Sequence, residues 1–509
     1  MIQENSGFPR TELLSLARGA GIVFFGTIAG TGLKYVFQVI VARHLGAELF
    51  GLFILGLTVF TIVEIVAQLG LPQGLVRFVS LFRGQNDQER LKGVILFSAR
   101  SVVCAGTALG AGLFFGSSIL ARHVFGQPNL VPVIKIFAVM TPFSVLGTIL
   151  LSTFQGFQAL EYKIYVGELT EPFLRISGVI IVFFAWGKTL PGILWAYGLA
   201  AFIALLQALA LLKKIFPGFF RKEIRPVYEI RKLMTFSWPL LFSYILGQLL
   251  IVTDSFVLGI LGTSEDVGIY GAAQRTSLLA SIIFISFNAI FAPIAADLYH
   301  RREHGDLEHV FKIVSKWTFS ITLPVSLLLI LLAKPILYVF GARFVQGAGA
   351  LALLAGGWLV HSAMGNAGAV LTMSGRSKWH LLNFSLLLTL EVLFNILLIP
   401  RYGILGAALG TASSLILVDI ITCLQVYWIL DLHPFRIDEM KPLLAGGVSF
   451  ISSKLLMDQV FSDYRKFAHL PILASICIII YTIVFFILRI GKEEKLVLSK
   501  VLERLRRAD

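Results

Sequence analysis

Fourteen long apolar stretches fill this chain, and the longest connections between them have only about 20 residues. An apolar run of about 20 residues matches the bilayer hydrocarbon at about 1.5 Å per helical residue. Backbone polar groups must be satisfied inside lipid, and the runs are continuous rather than alternating, so they predict helices and not a β-barrel. The composition agrees, since 57% of the residues are hydrophobic and 14% are charged. The sequence therefore predicts an all-α integral membrane protein.

The predicted spans form two halves of six helices each, followed by a hairpin. They cover residues 20–42, 50–70, 94–119, 131–153, 165–186, 191–212, 234–262, 267–294, 314–333, 349–373, 379–399, 404–430, 442–458 and 470–488. The predicted organisation is an N-terminal six-helix lobe (1–213), a basic cytoplasmic linker (214–233), a C-terminal six-helix lobe (234–431), and a terminal two-helix hairpin with a basic cytoplasmic tail (432–509). The tail spaces its apolar residues among basic ones, which is typical of an amphipathic helix on anionic lipid.

The positive charge is distributed unevenly between the two sides of the predicted bundle. The connections on the side of the termini carry about 29 Lys and Arg residues, and those on the other side carry about 8. The positive-inside rule therefore predicts an even number of spans in a cytoplasmic membrane, with both termini in the cytoplasm. Charge beside spans contacts lipid headgroups, so the net charge of +14 does not indicate a nucleic-acid partner.

Three short sequence matches relate the two predicted halves. Residues 45–53 (LGAELFGLF) recur at 261–270 (LGTSEDVGIY), 171–176 (EPFLRI) at 391–396 (EVLFNI), and 192–196 (GILWA) at 403–407 (GILGA). Six spans repeated in the same orientation are typical of transporters whose halves rock about a central cavity. Glycines that both halves need for helix packing, with no transport implied, are the alternative explanation.

Several stretches along the chain carry a resemblance to a known transporter family. They are 45–53, 68–77 (QLGLPQGLVR), 254–259 (DSFVLG) with 267–270 (VGIY), 395–400 (NILLIP) with Gly403 and 406–408 (GAA), and the terminal hairpin. Together they resemble the polysaccharide exporters and O-antigen flippases, and the resemblance covers nearly the whole chain. It implies membership of the multidrug/oligosaccharidyl-lipid/polysaccharide exporter superfamily.

The resemblance implies a flippase that moves polyprenyl-pyrophosphate-linked oligosaccharide across the cytoplasmic membrane by alternating access, for cell-surface polysaccharide or glycan synthesis. Such a protein is a transporter and not an enzyme. Its partners would be the lipid-linked substrate and membrane lipids, with glycan polymerase or ligase proteins as further candidates. A cation-coupled multidrug exporter and, from a different class, a membrane glycosyltransferase or polymerase stay open as alternatives. Drug exporters usually have twelve spans, and the enzymes usually need a sizeable loop outside the membrane, so this chain favours the flippase.

Ionisable side chains within the predicted spans are functional candidates, because charge at bilayer depth is costly. Four are predicted to bind substrate: Lys34, Arg175, Asp254 and Arg275. A guanidinium fork matches phosphate oxygens and a lysine adds a point charge, so a net basic cavity would suit a pyrophosphate. Spans one and seven line the central cavity in the resembling family, so Lys34 and Asp254 are candidates for a cavity or gate pair. A purely structural salt bridge is the alternative, and Glu171 at i−4 could neutralise Arg175 within one helix.

Four acids within the spans are candidates for ion coupling: Glu64, Glu171, Glu391 and Asp419. A carboxylate in a low-dielectric site can exchange a proton or hold sodium during transport, and the sequence does not decide between these ions. No cofactor is expected, and the chain contains no phosphate-cradling P-loop motif. The histidines between residues 300 and 309 are predicted to belong to a solvated connection, and no metal site is expected there. The three cysteines lie in apolar stretches and suggest neither a disulfide framework nor a zinc cluster.

Overall fold

The computed structural model describes residues 10–185, 187–435, 440–460 and 469–487. Regular structure in these ranges is helical throughout, which confirms the all-α prediction. The helices that begin before residue 262 are α1 (Arg10–Ala67), α2 (Leu71–Gly84), α3 (Gln88–Ile119), α4 (Leu130–Gly156), α5 (Leu160–Lys163), α6 (Glu171–Ala185), α7 (Leu190–Ile215) and α8 (Ile230–Leu261). They are followed by α9 (Ser264–His300), α10 (His304–Leu331), α11 (Ala333–Tyr338), α12 (Ala348–Met364), α13 (Asn366–Met373), α14 (Ser377–Tyr402), α15 (Ile404–Leu430), α16 (Met440–Val460) and α17 (His469–Ile487). Short π-helical segments occupy Leu120–Val124 and Ile164–Thr170, and 3₁₀ turns occupy Pro217–Phe220 and Ala342–Gly347.

Every predicted span coincides with helical structure, give or take a few residues at the ends. The first two spans both lie in α1, which bends at Gly46, where φ is 78°. The span predicted at 349–373 is divided between α12 and α13. Of the described helical segments, 10 are long and apolar enough to cross a bilayer. The chain is a multi-pass membrane protein, whereas the count of fourteen spans stays a prediction. The predicted amphipathic tail lies outside the described residues.

The chain forms two compact units, the first ending at Gly268 and the second beginning at Ile269. The predicted lobe boundaries at 213, 233 and 431 stay predictions. In the first unit, the linker packs along the start of α3. The amide of Val227 donates to the Glu89 carbonyl at 3.1 Å, and Lys92 Nζ donates to the carbonyl of Arg221 at 2.6 Å. The basic linker therefore has a defined path over the described structure.

The repeated motif at 45–53 contacts its counterpart directly. A Cβ on Gly51 would lie 1.6 Å from the Ser264 carbonyl oxygen, and one on the repeat-equivalent Gly268 would lie 2.1 Å from the Ala47 carbonyl oxygen. Each glycine therefore permits backbone-to-backbone packing that any side chain would obstruct. This contact gives the repeated glycines a packing role, which is what the alternative explanation of the repeat requires. A packing role is also compatible with transport.

Each unit has its own apolar core. In the first unit the buried face of α2 packs with α3, α4 and α7, and the residues of this cluster include Leu71, Phe82, Ile95, Ile149, Phe154 and Leu212. In the second unit, residues of α9, α10, α13 and α15 form a corresponding cluster, with Phe291, Phe311, Leu371 and Val426 fully buried or nearly so. These cores fix the helices that carry the ionisable side chains.

Candidate functional site

A cavity of about 230 Å³ lies inside the first unit, among α1, α4, α6 and α7. Its polar lining consists of Thr61, Glu64, Ser144, Thr148, Glu171, Arg175 and Tyr197, and apolar side chains of the same region form the rest. Three of the sequence-predicted site residues, Glu64, Glu171 and Arg175, therefore meet at one place. We call this the first-unit cavity.

Arg175 is the positively charged residue in the lining of the first-unit cavity, and it contacts two other lining residues. Its guanidinium donates to Glu171 Oε1 one turn earlier in α6, which is the i,i+4 pair that the sequence spacing predicts. The guanidinium carbon also lies 3.8 Å from the centroid of the Tyr197 ring, in cation–π contact with α7. The Arg175 Nε atom is buried and makes no hydrogen bond. One donor of the fork is thus available to a second anionic group.

Glu64 reaches the same cavity from α1. Its Oε1 accepts a hydrogen bond from Ser144 Oγ of α4 at 2.6 Å. This bond links the wall of α1 to that of α4, opposite the Arg175 guanidinium. The cavity therefore contains two glutamates, of which one is salt-bridged and the other is held by a hydroxyl donor.

Lys34 is paired close to this cavity, through the π-helical segment that precedes α6. Its Nζ lies 2.7 Å from Glu168 Oε2, and the two side chains are 41% and 26% exposed. A Cβ at Gly30 would lie 2.6 Å from the Glu168 carbonyl oxygen, so the glycine lets this segment approach α1 closely. At the start of the segment, burial lowers the pKa of the Lys163 ammonium, and nearby Glu168 partly opposes the shift.

This region of the first unit contains acidic as well as basic side chains. Two cations, Lys34 and Arg175, face three carboxylates, Glu64, Glu168 and Glu171, and each cation is paired with one of them. A net basic cavity was expected from the cations alone, and these first-unit residues do not form one by themselves. An anion that binds Arg175 must therefore compete with Glu171.

The remaining predicted residues lie elsewhere in the described structure. Asp254 is fully buried on α8 of the first unit and is not among the residues that line the first-unit cavity. Arg275 lies on α9 in the second unit, where its Nε is buried. Glu391 on α14 is 2% exposed, and Asp419 on α15 accepts a hydrogen bond from His361 Nδ1 at 2.8 Å.

Sequence reasoning missed Glu168, Tyr197 and His361. Glu168 lies near the start of the span predicted at 165–186, and its spacing of three residues from Glu171 could have identified it as a candidate. His361 is a lone ionisable residue in the span predicted at 349–373, and the cost of charge at bilayer depth makes such a residue a candidate by itself. Tyr197 carries no comparable signal, since an aromatic residue in an apolar helix usually serves packing.

Solved structures share this fold. The lipid II flippase MurJ in an inward closed conformation superposes with a TM-score of 0.74 at 15% identity, covering 92% of this chain and 98% of that chain. An inward-facing multidrug resistance MATE family transporter of the MOP superfamily gives a TM-score of 0.64 at 16% identity, covering 78% of this chain and 94% of that one. The fold is therefore that of the MurJ and MATE transporters.

This chain also has sequence relatives and matches two protein families. Stage V sporulation protein B of Bacillus subtilis is 23% identical over 514 residues, covering 93% of this chain and 95% of that protein. The probable low-salt glycan biosynthesis flippase Agl15 of Haloferax volcanii is 25% identical over 408 residues, covering 79% and 81%. The MatE family matches residues 239–397. The polysaccharide biosynthesis protein family matches residues 16–299, more than half of the 509 residues, and the chain belongs to that family, as the sequence resemblance predicted.

Proposed function

We propose that this protein is a flippase that moves a polyprenyl-pyrophosphate-linked oligosaccharide across the cytoplasmic membrane by alternating access, for the synthesis of a cell-surface glycan. The observation that carries the proposal is the side chain of Arg175, which lines the first-unit cavity and whose buried Nε makes no hydrogen bond. A planar guanidinium fork suits phosphate oxygens better than any other side chain. The relatives named as a glycan biosynthesis flippase and a lipid II flippase support the class of cargo.

The topology proposed for this function follows from the distribution of positive charge. The side with about 29 Lys and Arg residues is taken to be cytoplasmic, with both termini on that side. The protein itself carries out transport and no bond-breaking chemistry. Glycan polymerase or ligase proteins would use the product at the opposite membrane face.

The test uses proteoliposomes that contain a labelled polyprenyl-pyrophosphate oligosaccharide. The rate at which the headgroup becomes accessible to a glycan-cleaving enzyme added outside is compared with that of protein-free vesicles. We expect faster exposure with the protein, a loss of this acceleration in Arg175→Gln and Lys34→Met, and no loss in Lys188→Gln. Lys188 is an exposed cation of the same unit outside the cavity, so it controls for the general effect of removing positive charge. Headgroup exposure no faster than in protein-free vesicles would contradict the proposal.

A second candidate function has one observation in its favour. The two carboxylates that line the first-unit cavity, Glu64 and Glu171, outnumber the one cation in its lining, Arg175, which also suits a cationic solute. A cation-coupled drug exporter would accelerate efflux of a cationic dye from the same vesicles and leave the lipid-linked glycan unmoved. The dye assay in parallel with the glycan assay therefore decides between the two functions.

A further inference from the structure

A histidine–aspartate pair lies in the second unit near the junction of α12 and α13. α12 ends at Met364 and α13 begins at Asn366, and Gly365 between them keeps right-handed helical dihedrals, with its amide bonded to the His361 carbonyl at 2.7 Å. One turn before this junction, His361 Nδ1 donates to Asp419 Oδ2 of α15 at 2.8 Å. The two side chains are 15% and 9% exposed. Ionisable side chains at membrane depth are costly, so a buried pair of them is a candidate functional site.

The imidazole of His361 is held on several sides. The Phe284 ring lies edge-on with its centroid 4.3 Å away, and the Trp358 ring lies at 5.4 Å and 84°. A Cβ at Gly365 would lie 2.6 Å from His361 Cε1, so the glycine leaves room for the ring in this position. The next residue, Asn366, is fully buried, and neither its Nδ2 nor its Oδ1 has a hydrogen-bond partner in the described structure. The Asn366 side chain thus has unused hydrogen-bonding capacity near the pair.

The chemistry of the pair suits a proton. Alkali and alkaline-earth cations prefer sets of oxygen ligands, whereas imidazole changes its charge near neutral pH. No cluster of three or more His, Cys, Asp or Glu side chains that could hold a metal occurs among the described residues. Because Nδ1 already donates to Asp419, the proton would be taken up at Nε2. Uptake converts a buried pair of charge −1 into a neutral ion pair, and release restores the negative charge at membrane depth.

We propose that the His361–Asp419 pair is the proton-binding site that couples transport to a proton gradient. The coupling role depends on the proposed transport function, whereas proton binding at the pair can be tested without cargo. The protonated and deprotonated states of the pair differ in free energy because an uncompensated charge in a low-dielectric site is costly. The two protonation states therefore favour different surroundings of the pair, which is what coupling requires.

Other titratable side chains on the neighbouring helices contribute to the electrostatic potential at the pair. α15 presents Cys423 one turn after Asp419, with its thiol 3.7 Å from the Met364 carbonyl oxygen. α10 carries the buried Lys316, one turn before Phe319 of the cluster that packs on α12. α14, which packs on α15, carries Glu391.

Lys316 and Glu391 carry opposite charges, and Asp419 is the ionisable side chain in direct contact with the His361 ring. α13 has no titratable side chain, and the face of α9 that meets the pair presents the Phe284 ring. The cations Lys334 and Arg343 precede the start of α12, whereas His361 lies in its last turn.

Trp358 provides a direct readout of proton binding, because a charged imidazolium quenches a neighbouring indole. The fluorescence of the full-length protein in cargo-free liposomes is titrated with pH, and the same titration of Trp358→Phe is subtracted. We expect a quenching step at low pH that disappears in His361→Gln and that occurs at lower pH in Asp419→Asn, because this change removes the carboxylate beside the imidazolium. His44→Gln, which removes a histidine from the first unit, should leave the step unchanged.

Transport then tests the coupling. With the labelled glycan lipid in the vesicles, an imposed pH gradient should accelerate headgroup exposure in the wild type and have no effect in His361→Gln. A Trp358 signal that does not titrate, or one that titrates equally in His361→Gln, overturns the proton site. A signal that responds to sodium at constant pH and not to pH overturns the choice of ion. A normal titration with no flipping contradicts the proposed function and leaves the proton site standing.

Discussion

Exchanging the charges of Glu171 and Arg175 separates a structural role of this pair from a role in binding cargo. The guanidinium donates to Glu171 and covers the Tyr197 ring at 3.8 Å. The double variant Glu171→Arg with Arg175→Glu keeps an i,i+4 ion pair but moves the guanidinium one turn along α6. The single variant Arg175→Met removes the cation and leaves two carboxylates in the cavity.

The magnitudes follow from the burial of the pair. Removing one partner of a buried ion pair costs about 3 to 5 kcal/mol, and the lower end applies because the side chains are 18% and 21% exposed. Loss of the cation–π contact with Tyr197 adds about 1 kcal/mol. Arg175→Met should therefore be less stable than the wild type by about 4 kcal/mol. The charge exchange recovers the ion pair and loses only the contact with Tyr197, so its deficit should be about 1 kcal/mol.

The free energy of unfolding is measured by titration with sodium dodecyl sulfate in mixed micelles, and flipping is measured in proteoliposomes. We expect the charge exchange to recover most of the stability and little of the transport, since the guanidinium no longer sits where phosphate would bind. The matched control exchanges the i,i+4 pair of Glu308 and Lys312 on α10, which lies outside the site. That variant should keep both stability and transport.

Two results would refute this reasoning. If the exchanged variant flips the glycan lipid at the wild-type rate, then a guanidinium at position 175 is not needed for cargo. If Arg175→Met unfolds at the same detergent concentration as the wild type, then the pair does not carry the stability assigned to it. The two measurements are independent, so either conclusion can be reached without the other.

Two further predictions concern the fold. Gly51→Ala should cost about 3 kcal/mol, because its Cβ would lie 1.6 Å from the Ser264 backbone, whereas the same change at Gly112, which has open space around it, should be neutral or slightly stabilising. Thermal unfolding in detergent compares the two, and equal Tm values would contradict the close packing. Asn383→Leu should cost about 1 to 3 kcal/mol, because it leaves Gln425 without the amide that bonds it at 2.7 and 3.0 Å. Replacing both amides by Leu should recover much of that loss, and a double variant as unstable as the single one would show that the cost has another origin.

Most of the fold could be predicted because lipid imposes one rule on the whole chain. Every long apolar run must satisfy its own backbone, so hydropathy alone located the long apolar helices, although it did not predict α2 and placed the start of α10 ten residues late. Where the prediction needed local geometry it was less complete. The span at 349–373 is divided between α12 and α13 at Gly365, and a glycine in an apolar run does not by itself predict such a division.

Pairing within the site could be predicted only where the partners are close in sequence. The Arg175–Glu171 bond follows from a spacing of four residues, so the sequence alone indicates it. Lys34 and Glu168 are 134 residues apart, and their contact depends on Gly30 and on the π-helical segment that brings Glu168 against α1. Hydropathy and charge patterns do not predict such a contact between distant residues.

These pairings change what the cations can do for an anionic cargo. A guanidinium that is already bonded to Glu171 attracts phosphate less strongly than a free one, because part of its charge and some of its donors are in use. A phosphate that binds at Arg175 must displace that carboxylate or use the unbonded Nε beside it. Displacement would leave a buried carboxylate without its cation, which is costly. Binding at Nε leaves the Glu171–Arg175 ion pair in place, so the arrangement favours an anion that binds beside the pair over one that displaces Glu171.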